Sequence, residues 1–272
     1  MKNYIGRDAQ NEEVLERISR MRYFDDELMT VAFEDFTEGA ELVIHTILNK
    51  NSLKVISVKT QMQVVSFTNR SIRLDILATD ENNKLYDIEI QRSDAGASEK
   101  RARYHSSAID LKYLEKGSDF NELPETYVIF IIENDVLGHN KPIYFIERTI
   151  IGLDTLFGDE EHIIYVNGAY EDDTTELGKL IHDFLCENPD DMKFKVLADR
   201  ARYCKESEEG VRKVSRIVEE YGEEIAEKVK RESKIEIARN MLKMDKMSNE
   251  EIAECTGLSL KEVKELQGTF TA

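Results

Sequence analysis

The chain has 272 residues, enough for one large domain or for one domain with a small appendage. Hydrophobic residues make up 41% of it, and its longest apolar runs, such as residues 128–132, are far too short to cross a membrane. The formal net charge of −18 counts against a nucleic-acid partner unless basic residues concentrate at one surface, because phosphate contact requires positive potential there.

The N-terminus and the cysteines both bear on the cellular compartment in which the protein is expected. Residues 1–8 turn polar at once, which argues against a secretory signal. Cys186, Cys204 and Cys255 lie far apart and lack CxxC spacing, which argues against a disulfide framework and against a zinc site. The simplest interpretation is a cytoplasmic protein with reduced thiols.

In chain order, the hydrophobic pattern predicts an α/β or α+β domain. Residues 24–36 are acidic and mixed, without a clear pattern. The following segments predict, in turn, a helix at 39–48, β-rich stretches at 53–67 and 71–91, a helix at 98–116 closed by Gly117, strands at 126–133, 142–150 and 162–167, and helices at 176–186 and 192–205. This order predicts a mixed central sheet flanked by helices.

The C-terminal third has a different character. Residues 211–244 predict one long, highly charged helix, which is usually a solvated or coiled helix. Residues 249–267 predict two short helices joined by a tight turn at Gly257, as in a helix-turn-helix unit. We therefore expect three parts: a domain at residues 1–205, a charged helical connector at 206–246, and a small helix-turn-helix-like unit at 247–272.

Two segments of alternating hydrophobicity flank a polar turn at residues 81–83 and predict a β-hairpin. With a three-residue loop, Ile76 pairs with Ile88 and the apolar residues share one face. The other face then places Asp75 opposite Glu89, with Cβ atoms about 4.5–5.5 Å apart. We expect this carboxylate face to lie near the edge of the sheet.

Two carboxylates at this spacing repel each other unless a cation lies between them. Oxygen ligands that leave room for water suit Mg²⁺ or Mn²⁺. Such an ion polarises a phosphate oxygen and lowers the pKa of a bound water, which then attacks phosphorus. Gln91, on the same face as Glu89, is placed to orient the water or the phosphate. The alternative is that Asp75 and Glu89 are ordinary residues on the solvent face of a hairpin.

The arrangement of Asp75 with residues 89–91 resembles the PD-(D/E)XK nuclease superfamily, and more narrowly its branch of recombination-promoting nucleases and transposases. In that branch a Leu-Asp-Ile strand is followed by an Ile-Glu-X-Gln strand. The stretches that resemble the branch are residues 74–76, 88–91, 100–104, 123–131 and 247–259. The resemblance covers roughly residues 25–205 and implies a restriction-endonuclease-like core.

The resemblance implies a metal-dependent DNA endonuclease linked to recombination or mobile elements. It implies Asp75, Glu89 and Gln91 as catalytic residues, and Mg²⁺ or Mn²⁺ held by Asp75, Glu89 and an acidic residue of the first helix. We assign that third ligand to Glu41, although Glu38 would serve equally and a solvated helix face is the alternative for either. Gln91 stands where the superfamily usually has lysine, which leaves the positive charge to the metal or to Lys100, Arg101 or Arg103.

DNA contact is expected from the predicted helix at 98–116. Its basic and aromatic candidates are Lys100, Arg101, Arg103 and Tyr104, and the alternative is a solvated basic face. His105 is a candidate base or ligand, although a lone histidine is usually neither.

Two rival interpretations stay open. On the first, the protein is a catalytically inactive DNA-binding or mobile-element accessory protein on a nuclease scaffold. On the second, the acidic tail is a protein-interaction element or a dimerisation element, the latter giving a homodimer. The few basic residues of the tail weaken groove binding.

Overall fold

The computed structural model describes residues 12–50, 52–65, 71–244 and 246–268. The chain divides into two structural units, Met1–Ser215 and Arg216–Ala272. Two predictions concern residues outside the described part: the lack of a secretory signal at residues 1–8 and the end of the first predicted strand at 66–67.

The first unit is built around a mixed six-stranded sheet flanked by helices, which confirms the predicted fold class. Residues 12–19 are helical. The further helices are α1 (Asp26–Phe33), α2 (Thr37–Leu48), α3 (Glu99–Tyr113), α4 (Glu176–Leu185) and α5 (Lys195–Glu206). The strands are β1 (Val55–Val64), β2 (Ile72–Asp80), β3 (Leu85–Gln91), β4 (Thr126–Ile132), β5 (Ile143–Ile146), β6 (Thr149–Ile150), β7 (Thr155–Leu156) and β8 (Glu161–Asn167).

The predicted hairpin forms in the predicted register. β2 and β3 are antiparallel, with Ile76 opposite Ile88 and Ala78 opposite Tyr86. Asn83, in the loop, adopts the left-handed backbone conformation (φ 62°) that tight turns favour in asparagine.

The expected position near the sheet edge is wrong. The strand order is β1-β2-β3-β4-β8-β5, so β2 and β3 are both interior strands. β3 pairs in parallel with β4, and β4 in parallel with β8. Every residue of β4 is buried, as expected for a parallel strand that is covered on both faces. The carboxylate face of the hairpin therefore lies inside the domain.

Helix α3 covers that carboxylate face. Its buried Ala102 and Ile109 belong to one apolar cluster with Leu77 of β2 and with Val128 and Phe130 of β4. Side chains alternate between the faces of a strand, so Leu77 lies on the face of Asp75. The helix begins at Ser98, whose side chain accepts from the N–H of Arg101.

The second unit contains most of α6 (Glu208–Met244), followed by α7 (Asn249–Thr256) and α8 (Leu260–Gly268). Ser248 and Glu251 form a capping box that begins α7, and Gly257 ends it with a positive φ of 67°. Buried Ala238, Ile252, Leu258 and Val263 form the apolar cluster that joins these helices. The predicted pair of helices around Gly257 is confirmed.

Among the described residues, no helix combines the length and apolar character that a membrane span requires.

We expect the first unit to fold without residues 249–272. The apolar side chains of this tail, Ile252, Leu258 and Val263, pack on one another and on Ala238 within the second unit. A chain that ends at Ser248 should keep the cooperative thermal transition of the full chain, followed by circular dichroism. Ile252→Asp in the full chain is the matched control, because it disrupts the tail without shortening the chain. Loss of the cooperative transition in the shortened chain would contradict the prediction.

Candidate active site

Asp75 of β2 and Glu89 of β3 are fixed by the main chain of each other's strand. The N–H of Asp75 donates to Oε1 of Glu89 at 2.9 Å, and the N–H of Ile90 donates to Oδ2 of Asp75 at 3.1 Å. Asp75 is 8% exposed and Glu89 is fully buried. The register of the hairpin thus brings the two predicted carboxylates together without help from distant segments.

A third carboxylate, Asp87, lies two residues before Glu89 on the same face of β3. It is fully buried, and its Oδ2 lies 2.9 Å from Nδ1 of His105 in α3. Its other oxygen, Oδ1, has no hydrogen-bond partner among the described residues. Nδ1 of His105 also lies 3.6 Å from Oε1 of Glu89. The carboxylate face is therefore a cluster of three acids and one histidine.

Arg101 brings a positive charge to this cluster from α3. Its Nη2 donates to Oε2 of Glu89 at 3.1 Å, and its Nε donates to Nε2 of His105 at 3.2 Å. The Arg101 side chain is 37% exposed, while that of Glu89 is fully buried. Arg101 therefore connects the buried cluster to the protein surface.

Gln91 lies at the outer end of the site. Its Nε2 donates to Oδ2 of Asp75 at 3.3 Å. A Cβ added to Gly96 would collide with Oε1 of Gln91, so the glycine provides the space in which the amide lies. Gln91 thus orients Asp75 while remaining uncharged.

We expect Gly96→Ala to displace Gln91. The added methyl group occupies the position of the amide oxygen, so either this side chain or the short helical turn at Asp94–Gly96 must shift. The atoms that the methyl group meets are the far end of a flexible side chain, so the amide should turn away at a cost of no more than about 1 kcal/mol and lose its hydrogen bond to Asp75. Gly222→Ala is the control, because nothing lies near its added Cβ. A crystal structure of Gly96→Ala in which Gln91 still donates to Asp75 would contradict this packing.

Burial and neighbouring negative charge make all three acids harder to ionise. Burial, and secondly the charge of Asp26, raise the pKa of Asp75 to about 6. Burial and the charge of Asp75 raise the pKa of Asp87 well above its usual range, and burial and the charge of Asp87 do the same for Glu89. Burial lowers the pKa of His105. The metal-free cluster therefore binds protons more readily than solvent-exposed carboxyl groups do.

Asp26, at the start of α1, is an acidic residue that the sequence reasoning missed. Its charge acts on Asp75, and partial burial together with the charge of Glu27 raises its own pKa. The segment containing α1 had no clear hydrophobic pattern, so no helix was predicted there. The available signal was the run of acidic residues at 25–27, which is typical of a first helical turn.

The structure does not bring Glu41, the predicted third metal ligand, to the carboxylates. Its Oε2 accepts from the N–H of Val55 at 2.9 Å, at the start of β1. Val55 pairs with Asp80, five residues along β2 from Asp75. Five residues of strand span about 16 Å, which is too far for a shared ion. Glu41 serves instead to satisfy a backbone donor.

The four predicted DNA contacts on α3 fall into two groups. Arg101 reaches into the carboxylate cluster, as described above. Lys100 and Arg103 are exposed, and Tyr104 is 38% exposed. These three residues are accessible to a large ligand, and their contact with DNA stays a prediction.

The donor set fits a divalent metal ion. Asp75 and Glu89 are adjacent carboxylates whose pKa values are raised by burial, and a cation between them would reverse that effect. Asp75 is 8% exposed and Glu89 is fully buried, so an ion would have to enter from the side of Asp75. Ligand atoms of Asp87, Glu89 and His105 also lie within 4.8 Å of one another. In that second set, however, both ring nitrogens of His105 are already engaged.

Comparison with known proteins identifies one related family. Residues 43–147 match the model of the PD-(D/E)XK nuclease family transposases. The match runs from within α2 to just beyond β5, and it includes the carboxylate cluster and α3 but neither Asp26 nor the second unit. No curated protein and no solved structure matched the chain. The match confirms the superfamily resemblance and supports a nuclease-like or transposase-like function.

Proposed function

We propose that the domain carrying this PD-(D/E)XK nuclease family match is a metal-dependent DNA endonuclease that hydrolyses phosphodiester bonds without a covalent intermediate. The observation that carries the proposal is the pair Asp75 and Glu89, whose carboxylates are fixed by reciprocal hydrogen bonds across β2 and β3. Such preorganisation matters because a catalytic carboxylate that must be reoriented in each cycle loses rate. The residues proposed as catalytic are Asp75, Glu89 and Gln91.

Asp75 and Glu89 would hold Mg²⁺ or Mn²⁺ through their oxygens. When bound, the ion supplies Lewis-acid polarisation of the scissile phosphate and acidifies the attacking water. Gln91 donates to Asp75 from the open side of the site and is placed to orient Asp75, the water or the phosphate. Asp26 adds negative charge at Asp75 and thereby increases the attraction for a cation.

Arg101 supplies the fixed positive charge that the superfamily usually obtains from lysine at the position of Gln91. Its guanidinium is 3.1 Å from Glu89 and partly exposed, so it can face a bound phosphate while it neutralises a buried carboxylate. Arginine remains protonated throughout the physiological range, so this charge is permanent. A permanent cation stabilises the charge that develops on phosphate in the transition state.

DNA would approach along α3. Lys100, Arg103 and Tyr104 are exposed on this helix, where the two basic residues can contact backbone phosphates. This local arrangement answers the objection raised by the net charge of −18, because only the contact surface must be positive.

The test is a plasmid-nicking assay with the purified chain, with and without Mg²⁺. Wild type should convert supercoiled plasmid to nicked or linear forms only when Mg²⁺ or Mn²⁺ is present, and Asp75→Ala should not. Lys112→Gln, an exposed substitution in the last turn of α3, is the control for a changed surface charge. Binding of DNA without cleavage under every metal condition would overturn the proposal and favour an inactive DNA-binding or accessory protein.

A further inference from the structure

The pair Asp87 and His105 has no role in the function proposed above. Both side chains are almost wholly buried, at 0% and 1% exposure. Burying a carboxylate and an imidazole costs free energy, and replacement by apolar residues of similar volume is often neutral or stabilising. A buried polar pair beside a catalytic cluster therefore calls for an explanation other than stability.

The hydrogen bonds fix the state of the histidine ring. A guanidinium N–H can only donate, so Nε2 of His105 must accept from Nε of Arg101. Nδ1 then carries the proton and donates to Oδ2 of Asp87 at 2.9 Å. The ring is the neutral Nδ1–H tautomer, and the lowered pKa of His105 agrees with this.

We propose that Asp87 and His105 are positioning residues that hold the Arg101 guanidinium against Glu89. This inference rests on the proposed function for its consequence in catalysis, but the orientation itself is independent of it. Asp87 selects the tautomer of His105, and Nε2 of that tautomer accepts from Nε of Arg101. The guanidinium is planar, so fixing Nε fixes the direction in which Nη2 points.

The bond to His105 explains how an arginine on helix α3 can keep one orientation toward Glu89. Arg101 and His105 are four residues apart and share one face of α3. Without an acceptor for Nε, this long and 37% exposed side chain would be held by its bond to Glu89 alone and would keep more rotamer freedom. The acceptor is supplied from the protein interior, by a ring that Asp87 orients from β3.

Two substitutions at His105 separate positioning from simple filling of space. In His105→Asn the amide nitrogen can replace Nδ1 and keep the bond to Asp87, but it cannot reach Arg101. In His105→Gln the side-chain oxygen can replace Nε2 and accept from Arg101, but the bond to Asp87 is lost. A positioning role predicts that His105→Gln cleaves DNA faster than His105→Asn. A purely structural role predicts the reverse, because the asparagine keeps buried Asp87 paired.

A double-mutant cycle on the full chain provides the quantitative test. Arg101→Gln and His105→Asn should each lower kcat by roughly 10–100-fold, the usual cost of losing a supporting residue, with a smaller effect on KM for DNA. The double variant should be no slower than Arg101→Gln alone, within about twofold, because His105 acts through Arg101. His139→Asn, which is exposed and lies outside α3, is the matched control. A double variant whose loss of kcat equals the product of the two single losses would overturn the proposal.

Nitrogen-15 NMR of the imidazole tests the orientation even if the chain cuts no DNA. In wild type, His105 should show a protonated Nδ1 and an unprotonated Nε2. Arg101→Gln should shift the Nε2 resonance, and Asp87→Ala should populate the other tautomer. A wild-type ring protonated at Nε2, or one insensitive to Arg101→Gln, would overturn the proposal. The predicted spectra together with an inactive wild type would instead refute the nuclease function and leave the positioning intact.

Discussion

If the proposed nuclease function is correct, Asp75→Asn and Glu89→Gln should each lower Mg²⁺-dependent cleavage by roughly 10³-fold or more, the scale on which loss of an essential catalytic group acts. Each substitution keeps the size of the side chain but removes the charge that holds the ion. Gln91→Ala should slow cleavage less, because it removes an orienting amide and not a charged ligand. Ca²⁺ should support cleavage poorly, since it takes more ligands with looser geometry and acidifies water less than Mg²⁺. Initial rates of plasmid nicking at matched protein concentrations measure all of these effects.

The same two variants must remain folded for this comparison to be decisive. In Asp75→Asn the amide oxygen can still accept from the N–H of Ile90, and relief of like-charge repulsion should keep or raise the melting temperature. Glu89→Gln gains the same relief but loses the carboxylate oxygen that accepts from Arg101, so its stability should rise less. Equal cleavage by wild type and both variants would mean that the activity has another source and that the hairpin is not the catalytic site.

The second large effect concerns the pH dependence of stability without metal. The pKa of Asp75 rises on folding from about 3.8 to about 6, so the folded chain binds more protons than the unfolded chain between these values. The contribution of Asp75 to the free energy of unfolding is therefore present below about pH 4 and is lost as the pH rises through about 6. For Asp75 alone the loss is about 3 kcal/mol, at ~1.4 kcal/mol per pKa unit. The raised pKa values of Asp87 and Glu89 act in the same direction.

Urea unfolding of wild type and Asp75→Asn at pH 5 and pH 8, in the presence of a chelator, measures this effect. Wild type should lose stability relative to the variant as pH rises. At pH 8, Mg²⁺ added in place of the chelator should restore it in wild type only, by about 2.7 kcal/mol at 100 times the dissociation constant. A constant difference between the two proteins across this range would show that Asp75 titrates normally in the folded chain.

The sequence was sufficient to predict the local parts of the site. Alternation on both sides of the 81–83 turn determined the register of β2 and β3, and that register alone brings Asp75 to Glu89. Gly257 likewise lies at the end of the helix that it terminates. These predictions succeeded because hairpins and helix ends depend on neighbouring residues.

What the sequence reasoning missed depends on pairing between distant segments. β3 pairs in parallel with β4 across a long connection, and this moves the hairpin from the expected edge to the interior. Once α3 covers the hairpin, Asp87 becomes buried and meets His105, eighteen residues away along the chain. Leu77 on the carboxylate face and the continuous apolar run of β4 were signals that both faces are covered.

Helix α3, which covers the carboxylates, also determines which part of the domain is expected to open to solvent first. The buried residues of α3 are mostly small or polar, with Ile109 as its one large apolar side chain in the interior, so little apolar area holds the helix in place. Beneath it lie acids that regain their preferred ionised form on contact with water. Apart from the bonds of Arg101 and His105 to Glu89 and Asp87, little else holds this helix. We therefore expect α3 to detach before the strands separate, so that its amide hydrogens exchange with solvent well before those of β3 and β4.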